Sequence, residues 1–209
     1  MIVGSVRAPV GAIPVPTDDG DAAPSSGGGT AEHTYSALTS TGPYTVGVVT
    51  WDGGAGTALV SALWNDEAVT VHSFPESSGM GVAFVLASGA RSGDLVLTFD
   101  GATTDSEISV LSLNNVISFT LLDSAQVGSG ETPVVLTGVG SPGVKGIRVF
   151  GATNATAGTA MSSGDATEFA DVNAGSWRHW AAYDLGDDDG NVSVSGADVA
   201  MNSAGIAFR

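Results

Sequence analysis

GVAFVLASGARSGDLVLTFD, residues 81–100, decides the fold. Residues 81–87 are apolar almost without a break, as in a strand covered on both faces. Ser88-Gly89-Ala90-Arg91-Ser92-Gly93 interrupts the run with turn-forming residues. DLVLTFD (94–100) then alternates cleanly. Leu95, Leu97 and Phe99 project to one side, and Val96 and Thr98 to the other, which is the period-two signature of a strand.

The same grammar extends both ways. YTVGVVTW (44–51) is nearly all apolar, and Asp52-Gly53-Gly54 turns the chain after it. ALVSALW (58–64) and AVTVHSF (68–74) flank Asn65-Asp66-Glu67. Downstream come SEISVLSLNNV (106–116), PVVLTGV (133–139), VKGIRVFGA (144–152), WRHWAAYDL (177–185), NVSVSGA (191–197) and GIAFR (205–209). About ten strands at roughly ten-residue spacing predict an all-β, antiparallel β-sandwich or jelly roll over residues 44–209. The Gly-, Ala- and Thr-rich stretch 151–167 reads as a long surface loop.

Residues 1–43 read differently. Ile2, Val3, Val6, Val10, Ile13 and Val15 are interleaved with Pro9, Pro14 and Pro16. Proline favours an extended chain with unpaired backbone groups. Such a segment is either a terminal tail or an extended arm whose apolar residues attach to a partner. PSSGGGT (24–30) reads as a flexible linker, and AEHTYSALT (31–39) as a helical turn or a first strand. The expected organisation is an arm and linker over 1–43 and a sandwich over 44–209.

Composition removes several function classes. The net charge is −16, from 22 acidic and 6 basic residues, and the basic ones are scattered. Phosphate-rich partners require Lys and Arg, so nucleic acid and anionic membranes are not expected. There is no cysteine, which excludes disulfides, zinc–thiolate sites and thiol nucleophiles. MIVGSVRAPV has no apolar core of signal-peptide length, and no run reaches membrane-spanning length. Cytoplasmic synthesis without a signal peptide is the expectation.

The candidate chemistry is sparse. GVGSPG (138–143) matches a dinucleotide-binding pattern, but a β-branched segment follows it where a helix is needed. Asp187, Asp188, Asp189 and Asn191 in DDDGN offer close oxygens for Ca²⁺, yet Asp-Gly before NVSVSG is equally a hairpin turn. His33, His72 and His179 are isolated, and no HExxH, G-x-S-x-G or Ser-x-x-Lys occurs. The reading is therefore of a protein that is not an enzyme and needs no cofactor. SWRHWAAYD (176–184) is the densest aromatic patch. With one strand face in the core, the other would expose Trp180 with Arg178, or Trp177 with Tyr183. Exposed Trp serves as an interface anchor or a platform for a sugar ring. The alternative is burial of both Trp residues.

TVGVVTWDGG (45–54), AVTVHSF (68–74), MGVAFVLASGARSGDLVLTFDG (80–101) and NVSVSG (191–196) together resemble a jelly-roll family. That family occurs in tailed-phage and gene-transfer-agent particles and in some secreted bacterial proteins. The resemblance covers residues 44–209 and carries no catalytic residues. It implies a concanavalin-like β-sandwich and, among phage members, a place on the particle surface. The expected function is a virion structural protein: a surface decoration, head-spike or tail-associated component, held by its arm to capsid or tail proteins and forming a homo-oligomer. The alternative is a glycan-binding adhesion module for a host surface.

Overall fold

The computed structural model describes residues 14–23, 29–75, 79–127, 134–136, 146–154, 166–174, 177–185, 192–194 and 201–209. All regular structure there is β. The strands are β1 Val15–Ala22, β2 Thr30–Ser40, β3 Tyr44–Gly53, β4 Leu59–Trp64, β5 Glu67–Pro75, β6 Met80–Ser88 and β7 Arg91–Asn114. They continue as β8 Phe119–Val127, β9 Val134–Leu136, β10 Ile147–Asn154, β11 Thr167–Ala174, β12 Trp177–Asp184, β13 Val192–Val194 and β14 Met201–Phe208.

The first seven strands make one antiparallel sheet that closes on itself in the order β7-β3-β6-β5-β4 and back to β7. Straight strands cannot close this ring. Direction alternates at each antiparallel step, so an odd number of strands returns against its own sense. β7 resolves the conflict by turning a corner. Its 24 residues pair with β4 over 95–99 and with β3 over 103–113. Outside the ring, β2 runs along 91–103 of the same strand and β1 along 108–114. One irregularity in each of β2, β3 and β4 lies opposite residues 98–105 of β7, and a second in β2 lies opposite Gly93–Leu95. Bulges supply the local bend that a corner needs. Sequence reading placed a turn between 100 and 106; the chain instead bends there without leaving the sheet.

The hairpin from β4 to β5 shows how local chemistry sets register. Asn65 and Asp66 both have positive φ, 50° and 65°, and Trp64 faces Glu67 across the two-residue turn. That is a type I′ turn, whose twist matches that of the flanking strands. At Gly81 the constraint is space. It pairs with Trp51, and a Cβ there would lie 1.9 Å from the indole ring.

The second sheet has the order β11-β12-β10-β14-β8, again antiparallel, and β9 and β13 form a separate pair. Inside the ring lies a core of Trp51, Trp64, Tyr35, Leu95, Leu97 and Phe99. Val46, Val48, Val82 and Phe84 point outward from the same wall and pack on Val149 and Ile206 of the second sheet. This wall is therefore buried on both faces, which explains the unbroken apolar runs of β3 and β6. A third cluster, with Phe150, Trp180 and Met201, covers the far face of the second sheet.

The boundary expected at Tyr44 does not separate an arm from the sheet. β1 and β2 lie before it, and both pair with β7. β2 buries His33, Tyr35, Leu38 and Ser40, an alternation broken by Ala37 at φ 56°. β1 has no alternation of apolar side chains and so gave no strand signal. The loop expected over 151–167 begins later than drawn, because 151–154 belong to β10 and Thr167 opens β11. Residues 155–165 lie outside the described residues.

Candidate functional site

The chemistry-bearing side chains collect just past the corner of β7, on residues 103–109. His179 of β12 is fully buried and bridges the two sheets. Its Nδ1 lies 2.8 Å from Thr50 Oγ1 of β3, and its Nε2 lies 2.5 Å from Ser109 Oγ of β7. Ser109 Oγ in turn lies 2.5 Å from Asp21 Oδ1 of β1. One proton assignment satisfies every partner: Thr50 donates to Nδ1, Nε2–H donates to Ser109, and Ser109 donates to the Asp21 carboxylate. The imidazole is then neutral. Burial agrees, holding the His179 pKa down at about 3.

A second relay lies on the ring side of the sheet. His33 Nδ1 is 2.6 Å from Ser106 Oγ, and its Nε2 is 2.7 Å from Thr103 Oγ1. Tyr35 Oη meets the same Ser106 hydroxyl at 2.5 Å. Burial pushes the His33 pKa down and the Tyr35 pKa up, so both stay uncharged.

Between the relays stands Glu107, paired across the ladder with Thr50 and buried. Burial, and then the charges of Asp105 and Asp21, push its pKa up to about 7. The Asp21 carboxyl is also raised, by burial first, against the Ser109 hydrogen bond that lowers it. Beside His179, Thr153 and Asn202 continue the polar row across β10 and β14. Asn202 Nδ2 donates to the Phe74 carbonyl at 3.0 Å, tying the second sheet to β5.

This arrangement differs from a nucleophile, base and orienter. In that constellation the serine proton points to the histidine and the carboxylate orients the far ring nitrogen. Here the carboxylate takes the serine proton, a threonine holds the far nitrogen, and the imidazole is far too weak a base for catalysis near neutral pH. The relays act instead as staples, joining β1, β3, β7 and β12 in one case and β2 with β7 in the other.

Of the readings open for the aromatic strand, the structure shows burial of both Trp residues rather than an exposed platform. Trp177 and Trp180 are both buried, because sheet faces on either side of β12 are covered. Trp180 Nε1 donates to Glu168 Oε2 at 2.7 Å. Arg178 forks onto Asp171, and the Tyr183 ring lies 6.2 Å from Phe169. Two further cations are also engaged, Arg91 with Glu67 and Arg148 with Asp184. Among the attachment candidates, Val15 is described and is 54% exposed. Ile2, Val3, Val6, Val10 and Ile13 lie outside the described residues, as do Asp187, Asp188, Asp189, Asn191 and the GVGSPG segment. Among the described residues no group of three or more His, Asp or Glu is placed to hold a metal ion, and no helix is long and apolar enough to cross a membrane.

Sequence reading missed both relays. Their members are single residues whose bonded partners lie up to 129 positions away in the chain. The only local trace is the polar run Thr103-Thr104-Asp105-Ser106-Glu107, with Ser109 just beyond it. No protein-family description, curated protein or solved structure matches the chain.

Proposed function

We propose that this chain is a non-enzymatic structural protein of a tailed-phage-like particle, exposed on its surface as a decoration, head-spike or tail-associated component. The observation that carries the reading is the use made of its polar side chains. Both buried histidines and their hydroxyl partners are consumed in neutral hydrogen bonds between strands, which serve rigidity rather than turnover. A net charge of −16 suits a surface protein present in many copies, since self-repulsion keeps it soluble. The residues before β1 supply the attachment segment, with capsid or tail proteins as partners and a homo-oligomer as the assembled form.

The finer fold in this reading is a two-layer β-sandwich, with one wall of the closed ring set against the second sheet. The packing of Val46, Val82 and Phe84 on Val149 and Ile206 supports the sandwich. The order of strands departs from a jelly roll, whose chain passes back and forth between its sheets. Here the first sheet draws only on residues 15–114 and the second only on 119–208. The glycan-binding alternative relied on a solvent-facing Trp177 or Trp180, and neither side chain faces solvent.

The test is purification of particles from a producing culture, with quantitation of this chain against the major capsid protein. A fixed stoichiometry through density-gradient and size separations is expected. A chain that stays in the soluble fraction while particles are complete without it would overturn the reading.

A further inference from the structure

β1 occupies a seat that it does little to hold. It pairs with β7 alone, from Val15 opposite Asn114 to Ala22 opposite Ile108. No side chain along Val15–Ala22 is fully buried, and only Ala22 leans on the ring core. Its sequence, VPTDDGDA, is poor strand material, with one proline, one glycine at φ 101° where the register shifts, and three aspartates. β2 lies end to end with it on the same edge of β7 without pairing to it. Releasing β1 therefore breaks one ladder and leaves the closed ring intact.

Among the described residues, the side-chain ties from β1 to the rest of the sheet run through its aspartates. Asp21 accepts from Ser109, and Asp19 accepts from Ser112 and from the backbone and hydroxyl of Thr41. Asp18 is turned onto the backbone of Gly20. Among the described residues, Arg91, Arg148 and Arg178 pair with Glu67, Asp184 and Asp171 rather than with these carboxylates. Across the β1–β7 contact, the Glu107 and Asp21 carboxyls repel one another. The seven residues joining β1 to β2 are Ala-Pro-Ser-Ser-Gly-Gly-Gly (23–29), a composition that encodes no strand or helix.

We propose that β1 is an exchangeable strand: residues 108–114 of β7 accept β1 of a second copy of this chain in the same antiparallel register. Exchange re-forms the same ladder and the same carboxylate–hydroxyl bonds, so it is close to neutral in contact energy. The tether favours the strand's own β1 through its effective concentration, and crowding of copies shifts the balance towards the neighbour's. The inference stands on the geometry of β1 and goes beyond the particle reading without requiring it.

Cysteine pairing across the ladder tests this in a chain with no native cysteine. Val15 and Asn114 are opposite one another and both exposed. Facing positions of an antiparallel pair lie within disulfide reach. The full-length variants V15C and N114C are mixed at high concentration, incubated and oxidised, beside each variant alone and the V15C/N114C double variant. The double variant is expected to close a disulfide. The mixture is expected to give a linked Val15–Asn114-position heterodimer, at twice the 20.7 kDa chain mass and several-fold above the dimer from either variant alone. A mixture no more cross-linked than its components, while the double variant closes entirely within single chains, would show that β1 stays in its own seat. Failure of the double variant to cross-link at all would remove the seat itself.

Discussion

His179 and Glu107 share a neighbour in Thr50, the first through a hydrogen bond and the second across the β3–β7 ladder, and they pull stability in opposite directions with pH. His179 is held at about 3 in the folded chain against an ordinary 6.5, so its contribution is full above pH 6.5 and is lost as pH falls towards 3. Glu107 is held at about 7 against 4.5, so its contribution is full below pH 4.5 and is lost as pH rises through 7. Between 4.5 and 6.5 the two slopes offset one another. Glu107→Gln removes one of them. The melting temperature of this variant relative to the parent should rise between pH 4.5 and pH 8, and a constant difference across that range would mean that Glu107 ionises normally. His179→Ala breaks the relay and leaves the Thr50 and Ser109 hydroxyls buried without their ring partner. A loss of about 3 kcal/mol in urea unfolding is expected, from unsatisfied groups plus a cavity. None of this could be read from the sequence, because neither histidine has a chemical neighbour within its own strand.

Elements were more legible than sites. β3 to β6, β10 and β12 each coincide with a run that the apolar pattern marked, and the burial of β3 and β6 on both faces was visible in their missing alternation. The failures have physical causes. β1 has no apolar period to find. β8 carries Phe119, Leu121 and Leu122, but its polar remainder hides them, and Phe119 and Leu121 stay partly exposed on the sheet edge. β7 was divided in two because Asp100-Gly101 is turn chemistry, and only the pairing partners on each side show that the strand continues. The β4–β5 turn offers a direct test at this scale. Asp66 sits at φ 65° in a type I′ turn, where glycine carries no Cβ penalty. Asp66→Gly should stabilise the chain by up to about 1 kcal/mol, or a 2–4 °C rise in melting temperature. A fall would mean that the Asp66 side chain has a role its backbone does not show.

At the scale of the whole molecule, the expected all-β antiparallel class holds, and β1 and β2, which precede the expected boundary at Tyr44, pair into the first sheet. All of the described strands lie at or after Val15. On the proposal that the residues before β1 serve attachment, deleting residues 1–13 should abolish incorporation into particles while leaving the melting temperature within a few degrees of the parent. Normal incorporation of the shortened chain would move the attachment surface onto the sheets.

The segregation of the two sheets along the chain has a consequence for biosynthesis. On a ribosome, the ring is complete in sequence once Asn114 has emerged, whereas the last strand that covers its outer wall ends at Phe208. Translation of the intervening roughly 90 residues takes about 5–20 s. For that interval Val46, Val48, Val82, Phe84 and Leu111 form a finished but uncovered apolar wall. Nascent chains on neighbouring ribosomes are then sticky to one another at a stage when each is already half built. Synonymous codons that slow elongation between residues 119 and 208 would lengthen the exposure and lower the soluble yield, with the amino-acid sequence unchanged.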